Sequence, residues 1–316
     1  MTKYFYLKSN SIIQKKFEVV RFKGNSMKSI IILVLLRLSI SISIAQTINI
    51  DAHRKNIVVL GYVNKGNISL IGTGFIVEID DIFHLVTAKH VVTVRGSKGE
   101  LTSNFNDSSL YAFYYSKKGG VESKKIIDIK NKFKVKWVTH PNPIVDIVAI
   151  PFDIDTLKDD LRVVPYKLFL DTKRLYETYG VYFVSFHPGL VTLNDFKPIF
   201  RSGDICRINS DKTILLDAFA FPGNSGSPVF LKTSTIRFDN NTINLGSDEL
   251  GDRFIGIIGA YIPYEDVAIS LQTNQPRVIF QENSGIALVW SIDYINEIIN
   301  SAQMKGQVSF IKKNFK

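Results

Sequence analysis

Three short segments hold side chains that could do chemistry together. In Leu85-Val86-Thr87-Ala88-Lys89-His90-Val91-Val92 an apolar strand ends in a small residue and a histidine opens a turn or short helix. In Asp146-Ile147-Val148-Ala149-Ile150 an acid leads directly into a buried strand. In Phe221-Pro222-Gly223-Asn224-Ser225-Gly226-Ser227-Pro228 a serine sits among glycines, which allow backbone geometry that other residues resist. A serine hydroxyl is a poor nucleophile at neutral pH until a base takes its proton, and histidine titrates in the right range. The imidazole in turn needs a carboxylate to hold its tautomer and to stabilise the cation that forms. A tight Gly-x-Ser-Gly turn can aim two backbone N–H groups at a developing oxyanion. The chain offers Ser225 as nucleophile, His90 as base, Asp146 as orienter, and the N–H groups of Gly223 and Ser225 as oxyanion donors. Each segment alone is a common structural feature. Their conjunction, each at a strand–loop junction, favours catalysis.

The elements that must position these groups read as strands. After residue 46 the chain alternates with period two or runs through short apolar stretches rich in Val, Ile, Phe and Tyr. Examples are Ile57–Tyr62, Ser69–Glu78, Phe83–Thr87, Val181–Phe186 and Phe254–Tyr261. Turn residues such as Asn64-Lys65-Gly66, Asp80-Asp81, Lys118-Gly119-Gly120 and Pro188-Gly189 break them. Many short strands at near-regular spacing predict an all-β barrel or sandwich. The good helical period falls over Ser291–Ala302, where Ile292, Ile295, Ile298, Ile299 and Ala302 share a face and Ser291 can serve as N-cap. The polar stretch Asp153–Lys173 reads as a linker between two β halves, and residues 232–253 as a polar insertion containing Asn240-Asn241, Gly246 and Asp248-Glu249.

At the three segments the chain resembles the trypsin-like (chymotrypsin-fold) serine peptidases. Thr87-Ala88-Lys89-His90 is similar to the family's Thr-Ala-Ala-His, with Lys89 in place of the second Ala. Asp146-Ile-Val-Ala-Ile resembles its Asp-Ile-Ala-Leu strand. Gly223-Asn224-Ser225-Gly226-Ser227-Pro228 resembles the Gly-Asn-Ser-Gly-Gly form of the bacterial HtrA-like branch, as do Gly285-Ile286-Ala287 and the helix after Ser291. The resemblance covers roughly residues 55–300. It implies two six-stranded antiparallel β-barrels and a short C-terminal helix, with the site in the cleft between the barrels. The expected organisation is a first barrel over 46–155, a linker over 156–173, a second barrel with its helix over 174–303, and a tail over 304–316. A PDZ domain after the second barrel is not expected. The implied activity is cofactor-free and metal-free hydrolysis of a polypeptide substrate through an acyl-enzyme. The implied specificity wall is formed by Phe219 and by Gly259, Ala260 and Tyr261. With no carboxylate at the pocket base, an apolar or small side chain is expected before the cleaved bond. Two departures stand out. Asn224 replaces the acid that pairs with a freed N-terminus in digestive members, so that route of activation is not expected. Ser227 replaces a glycine and is expected to crowd the turn.

Composition and residue order narrow the alternatives. The chain has 316 residues, is 45% hydrophobic and carries a net charge of +10. Eight of its 39 bases and one of its 29 acids lie in residues 1–45, which leaves 31 bases against 28 acids in the rest. A near-neutral body gives no strong pull on phosphate backbones, so nucleic acid is not an expected partner. Met27-Lys28, the apolar run Ile30–Leu36 and the ending Ser43-Ile44-Ala45 form a secretory leader pattern with cleavage after Ala45, and translation beginning at Met27 fits it. The expected location is secreted or periplasmic, with membrane attachment only if the leader stays uncleaved. The one cysteine, Cys206, cannot close an internal disulfide and reads as a buried strand residue. All five histidines precede Ser225, which rules out the Ser–acid–His order of α/β-hydrolases. A subtilisin order would need helices alternating with strands. His140 and His187, beside prolines, read as structural. The rival from another class is a secreted protease-fold binding protein with a latent triad.

Overall fold

The computed structural model describes residues 49–64, 67–96, 101–234, 236–239, 242–245 and 250–315. The leader with its cleavage site, Lys65-Gly66 of the first turn, and Asn240-Asn241, Gly246 and Asp248-Glu249 of the insertion lie outside the described residues. A short helix, α1 (Asn49–Lys55), precedes the first β unit. That unit comprises β1 (Ile57–Asn64), β2 (Asn67–Ile79), β3 (Ile82–Ala88), β4 (Thr93–Arg95), β5 (Leu101–Phe105), β6 (Tyr111–Tyr115), β7 (Val121–Lys125), β8 (Val138–Thr139) and β9 (Ile147–Pro151). Two helices interrupt it, α2 (Lys89–Val92) and α3 (Ile126–Phe133). Seven strands form one antiparallel sheet in the order β7-β6-β1-β2-β3-β9-β8, while β4 and β5 pair separately. Asp80 and Asp81 both take positive φ between β2 and β3, the geometry that a tight hairpin turn requires and that aspartate tolerates.

The second unit is a closed six-stranded barrel. Its strands are β10 (Gly180–Ser185), β11 (Ile199–Ile208), β12 (Ile214–Asp217), β13 (Pro228–Leu231), β16 (Phe254–Ile269) and β17 (Pro276–Ser291), in the order β10-β11-β12-β17-β16-β13. A small hairpin, β14 (Ile236–Asp239) and β15 (Thr242–Leu245), lies within the stretch expected to be an irregular insertion. The expected all-β architecture is therefore present, with the expected six-stranded barrel in the second unit and seven strands rather than six in the sheet of the first. The two units share apolar contacts: Phe75 of β2 meets Phe254 of β16 at 5.0 Å between ring centroids. The closed barrel of the second unit leaves few strand edges open, whereas the first sheet ends on β7 and β8.

The segment joining the units is packed rather than free. Val164 bridges to Val77, Phe169 bridges to Phe254, and Asp159, Val164 and Leu170 are buried. At the C-terminus α4 (Ile292–Asn300) buries Ile292, Ile295 and Ile298. Ser291 stands at its N-cap position, but the hydroxyl reaches Asp293 at 3.4 Å instead of a backbone N–H. Residues beyond 303, expected as a tail, belong to a further helix, α5 (Ala302–Phe315), which buries Met304, Val308 and Ile311 at helical spacing. Cys206 is exposed, contrary to the sequence expectation. Cys206 follows inward-facing Ile205 and so takes the outward side of the strand, and the β11–β12 register, passing from Ile205 to Arg207, makes it the extra residue of a bulge. Among the described residues no helix is long and apolar enough to cross a membrane.

Candidate active site

Strand register builds the first half of the site. β3 and β9 pair with Ala88 opposite Ile147, so the residue following one strand and the residue preceding the other are neighbours. His90, in the single turn of α2, therefore meets Asp146. The His90 ring Nδ1 lies 2.6 Å from Asp146 Oδ2, and the His90 backbone N–H donates to Asp146 Oδ1 at 2.8 Å. The Lys89 N–H also donates to the Asp146 carbonyl at 3.2 Å. Both carboxylate oxygens are thus spent on one residue. A proton held on Nδ1 toward the carboxylate leaves Nε2 as the acceptor, the tautomer that a general base needs.

The second half is the turn between β12 and β13. Gly226 has φ +83°, and a Cβ there would collide with the Thr73 carbonyl and the Thr87 hydroxyl, so the position demands glycine. Ser227 has no positive φ, so the turn accepts it without backbone strain, and its side chain is fully buried. Its hydroxyl, however, has no hydrogen-bond partner.

Asn224, also fully buried, ties the turn together. Its Oδ1 accepts the Phe221 N–H at 2.8 Å, and its Nδ2 donates to the Ser185 hydroxyl at 2.9 Å and to the Phe186 carbonyl at 3.2 Å. Thr73, reaching over from β2, holds two carbonyls of this turn. Its hydroxyl donates to the Gly223 carbonyl at 2.9 Å and its N–H to the Ser225 carbonyl at 2.9 Å. With those carbonyls held, the N–H groups of Gly223 and Ser225 have no acceptor among the described residues. The Ser225 hydroxyl donates to the Gly259 carbonyl at 3.2 Å, and no hydrogen bond joins it to His90.

His90, Asp146, Ser225 and Gly223 line one open cleft of about 940 Å³, together with Gly259, Ala260 and Tyr261 of β16. Phe219 does not line it; its exposed ring lies over Gly285, stacked with Phe221 at 6.3 Å. Phe221 takes the wall position instead. The Arg201 guanidinium sits 4.8 Å above the Phe221 ring, and burial pulls its pKa below the usual value. His140 Nε2 donates to the Glu297 carboxylate at 2.9 Å while its Nδ1 accepts the Asn142 N–H, His187 is a half-buried loop residue, and neither lines the cleft. Among the described residues no group of His, Cys, Asp and Glu could hold a metal ion. Sequence reading missed Thr73 and the bonding of Asn224. The signal for Thr73 was its place between Gly72 and Gly74, two residues that can tolerate close backbone approach.

No curated protein matches the chain in sequence. Among solved structures it is similar to the serine endoprotease from Yersinia pestis, at 12% identity and a TM-score of 0.45, covering 81% of this chain and 65% of that one. The chain thus spans slightly under two thirds of that protein's length. The family model of the trypsin-like peptidase domain matches residues 72–236, more than half of the chain, and this stretch contains Thr73, His90, Asp146 and Ser225. The chain belongs to the trypsin-like peptidase family.

Proposed function

We propose that the protein is an exported serine endopeptidase that cuts polypeptides with His90, Asp146 and Ser225. The observation that carries this reading is the pair of hydrogen bonds from His90 to both oxygens of Asp146, in the same cleft as Ser225. In the reaction the Ser225 hydroxyl leaves the Gly259 carbonyl, gives its proton to His90 Nε2 and attacks the acyl carbon of the substrate. The N–H groups of Gly223 and Ser225 receive the oxyanion. His90 then returns the proton to the leaving amine, and water releases the acyl group by the same steps. Gly259, Ala260 and Tyr261 hold the substrate chain, and an apolar or small side chain precedes the cleaved bond. The leader pattern ending at Ala45 supports secretion or delivery to the periplasm; the N-terminal sequence of the mature protein tests that separately.

The present placement of the Ser225 hydroxyl on Gly259 favours a second reading, a protease-fold binding protein whose triad is latent. A fluorophosphonate probe separates the two. The expected result is covalent labelling of Ser225 in the wild-type chain and none in Ser225→Ala. Folded wild-type protein that remains unlabelled, with or without added polypeptide, overturns the peptidase reading.

A further inference from the structure

β16 and β17 extend well past the barrel. Their pairing continues from Pro263↔Asn283 to Ile269↔Pro276, a two-stranded arm ~20 Å long. An isolated ribbon with neither face packed is marginal in water. This one also exposes large apolar side chains, among them Tyr264, Val267, Ile269, Val278, Ile279 and Phe280. The register divides them between the two faces, Tyr264, Phe280 and Val278 on one and Val267, Ile279 and Ile269 on the other, so both faces of the arm leave apolar surface uncovered, and exposed apolar surface of this kind marks a place where something binds.

The edge facing the cleft tells what. β13 pairs with β16 only as far as Ile257, and the Gly226 N–H and Ser227 carbonyl take the main-chain groups of Ile258, so from Gly259 onward that edge of β16 has no strand partner among the described residues. The open edge starts beside the nucleophile, whose hydroxyl touches Gly259, and continues into the arm past register shifts at Ile258/Ala260 and Ile262/Pro263. The Val267 N–H is bonded to the Asp266 carboxylate at 2.8 Å rather than to β17, so it points outward. By the alternation of antiparallel ladders, Glu265 and Pro263 face outward too. Pro263, which has no N–H to offer a ladder, stands where an edge strand tolerates it.

Building on the peptidase reading, we infer that the β16 edge of the arm, Tyr261–Ile269, is a second docking surface for the extended substrate chain, continuous with the cleft. A strand added there gains main-chain hydrogen bonds from the edge and apolar contacts from the exposed side chains. Antiparallel addition is the more stable pairing. With the cleaved bond at Ser225, it lays the residues on the N-terminal side of that bond along the arm. The arm therefore selects unfolded chains with about ten extended residues before the cleavage point over short peptides.

The test uses full-chain Ser225→Ala protein and fluorescein-labelled β-casein, an unfolded polypeptide, followed by anisotropy. Replacing residues 263–283 with an Asn-Gly turn is expected to weaken binding about tenfold or more. Val267→Pro, which removes the outward N–H but no bond to β17, is expected to weaken it about threefold. Unchanged binding in both variants, or no casein binding by the parent, overturns the inference. So does a dimer that dissociates when the arm is shortened while casein binding persists, because the arm then holds a second copy. Fluorophosphonate labelling of Ser225 in arm variants that keep the serine should match the parent. If the parent labels but the arm has no effect on casein, the arm inference fails alone. If the arm effect holds but nothing labels, the peptidase reading fails alone.

Discussion

The two halves of the cleft are held by different means. On the first side His90 and Asp146 follow from strand register, because Ala88 opposite Ile147 makes the flanking residues meet. On the second side Ser225 sits in a loop whose shape is imposed by side chains borrowed from elsewhere, Thr73 from β2 and Ser185 from β10. A ladder-built site is as rigid as its sheet. A clamp-built site can be loosened one hydrogen bond at a time. The first half should therefore fail in an all-or-none way and the second by degrees.

The largest effect should come from the register-built half. Asp146→Asn keeps the shape but lets the imidazole take the wrong tautomer, and kcat for peptide hydrolysis is expected to fall about 10⁴-fold with KM little changed. A loss under tenfold would show that the pair does not orient the base.

The next effect belongs to the strand that leads to that half. His84 of β3 is fully buried, with Nδ1 on the Ile82 carbonyl at 2.9 Å and Nε2 without a partner. Burial pushes its pKa down from 6.5 to about 4. Between those values the unfolded chain binds a proton that the native state refuses. The contribution to stability is complete above pH 6.5 and is lost as the pH falls toward 4, by about 3 kcal/mol. Denaturant unfolding of wild type against His84→Leu over that range reads it as a slope that the variant lacks.

On the clamp-built half, Thr73→Val removes the hydroxyl while keeping the N–H bond to Ser225. The expected outcome is a 10- to 100-fold lower kcat, about 1–3 kcal/mol, with KM nearly constant. Thr73→Ser should restore it, and failure of that rescue would make Thr73 merely a packing residue. The smallest effect is expected at Ser227, whose buried hydroxyl is unbonded. Ser227→Ala should leave hydrolysis unchanged and raise stability by up to about 1 kcal/mol, read as a shift in the unfolding midpoint.

The same contrast explains what could be read from the amino acids alone. His90, Asp146 and Ser225 were legible because each requires a particular residue type in a short window at a strand end. The strands were legible where one face is buried, since burial imprints a period of two. Cys206 misled because its apolar character was read as burial, whereas the period through inward-facing Ile205 puts it on the outer side. The arm beyond Tyr261 was not legible as strand, since a ribbon exposed on both faces has no burial to write an alternation into Pro263–Ile269. Phe219 was placed in the wall by its distance from Ser225, but its ring lies over Gly285 and Phe221 takes its position. The clamp by Thr73 was invisible because it joins positions 150 residues apart.

The amide at position 224 has a consequence for control. A neutral side chain neither gains nor loses a proton, and it offers an arriving ammonium group nothing to neutralise. The turn that Asn224 organises is therefore set when the chain folds, and cutting the polypeptide elsewhere gives it no new anchor. A freed N-terminus could reshape this turn only by displacing the bonds of Asn224 to Phe221, Ser185 and Phe186, not by pairing with a charge at 224.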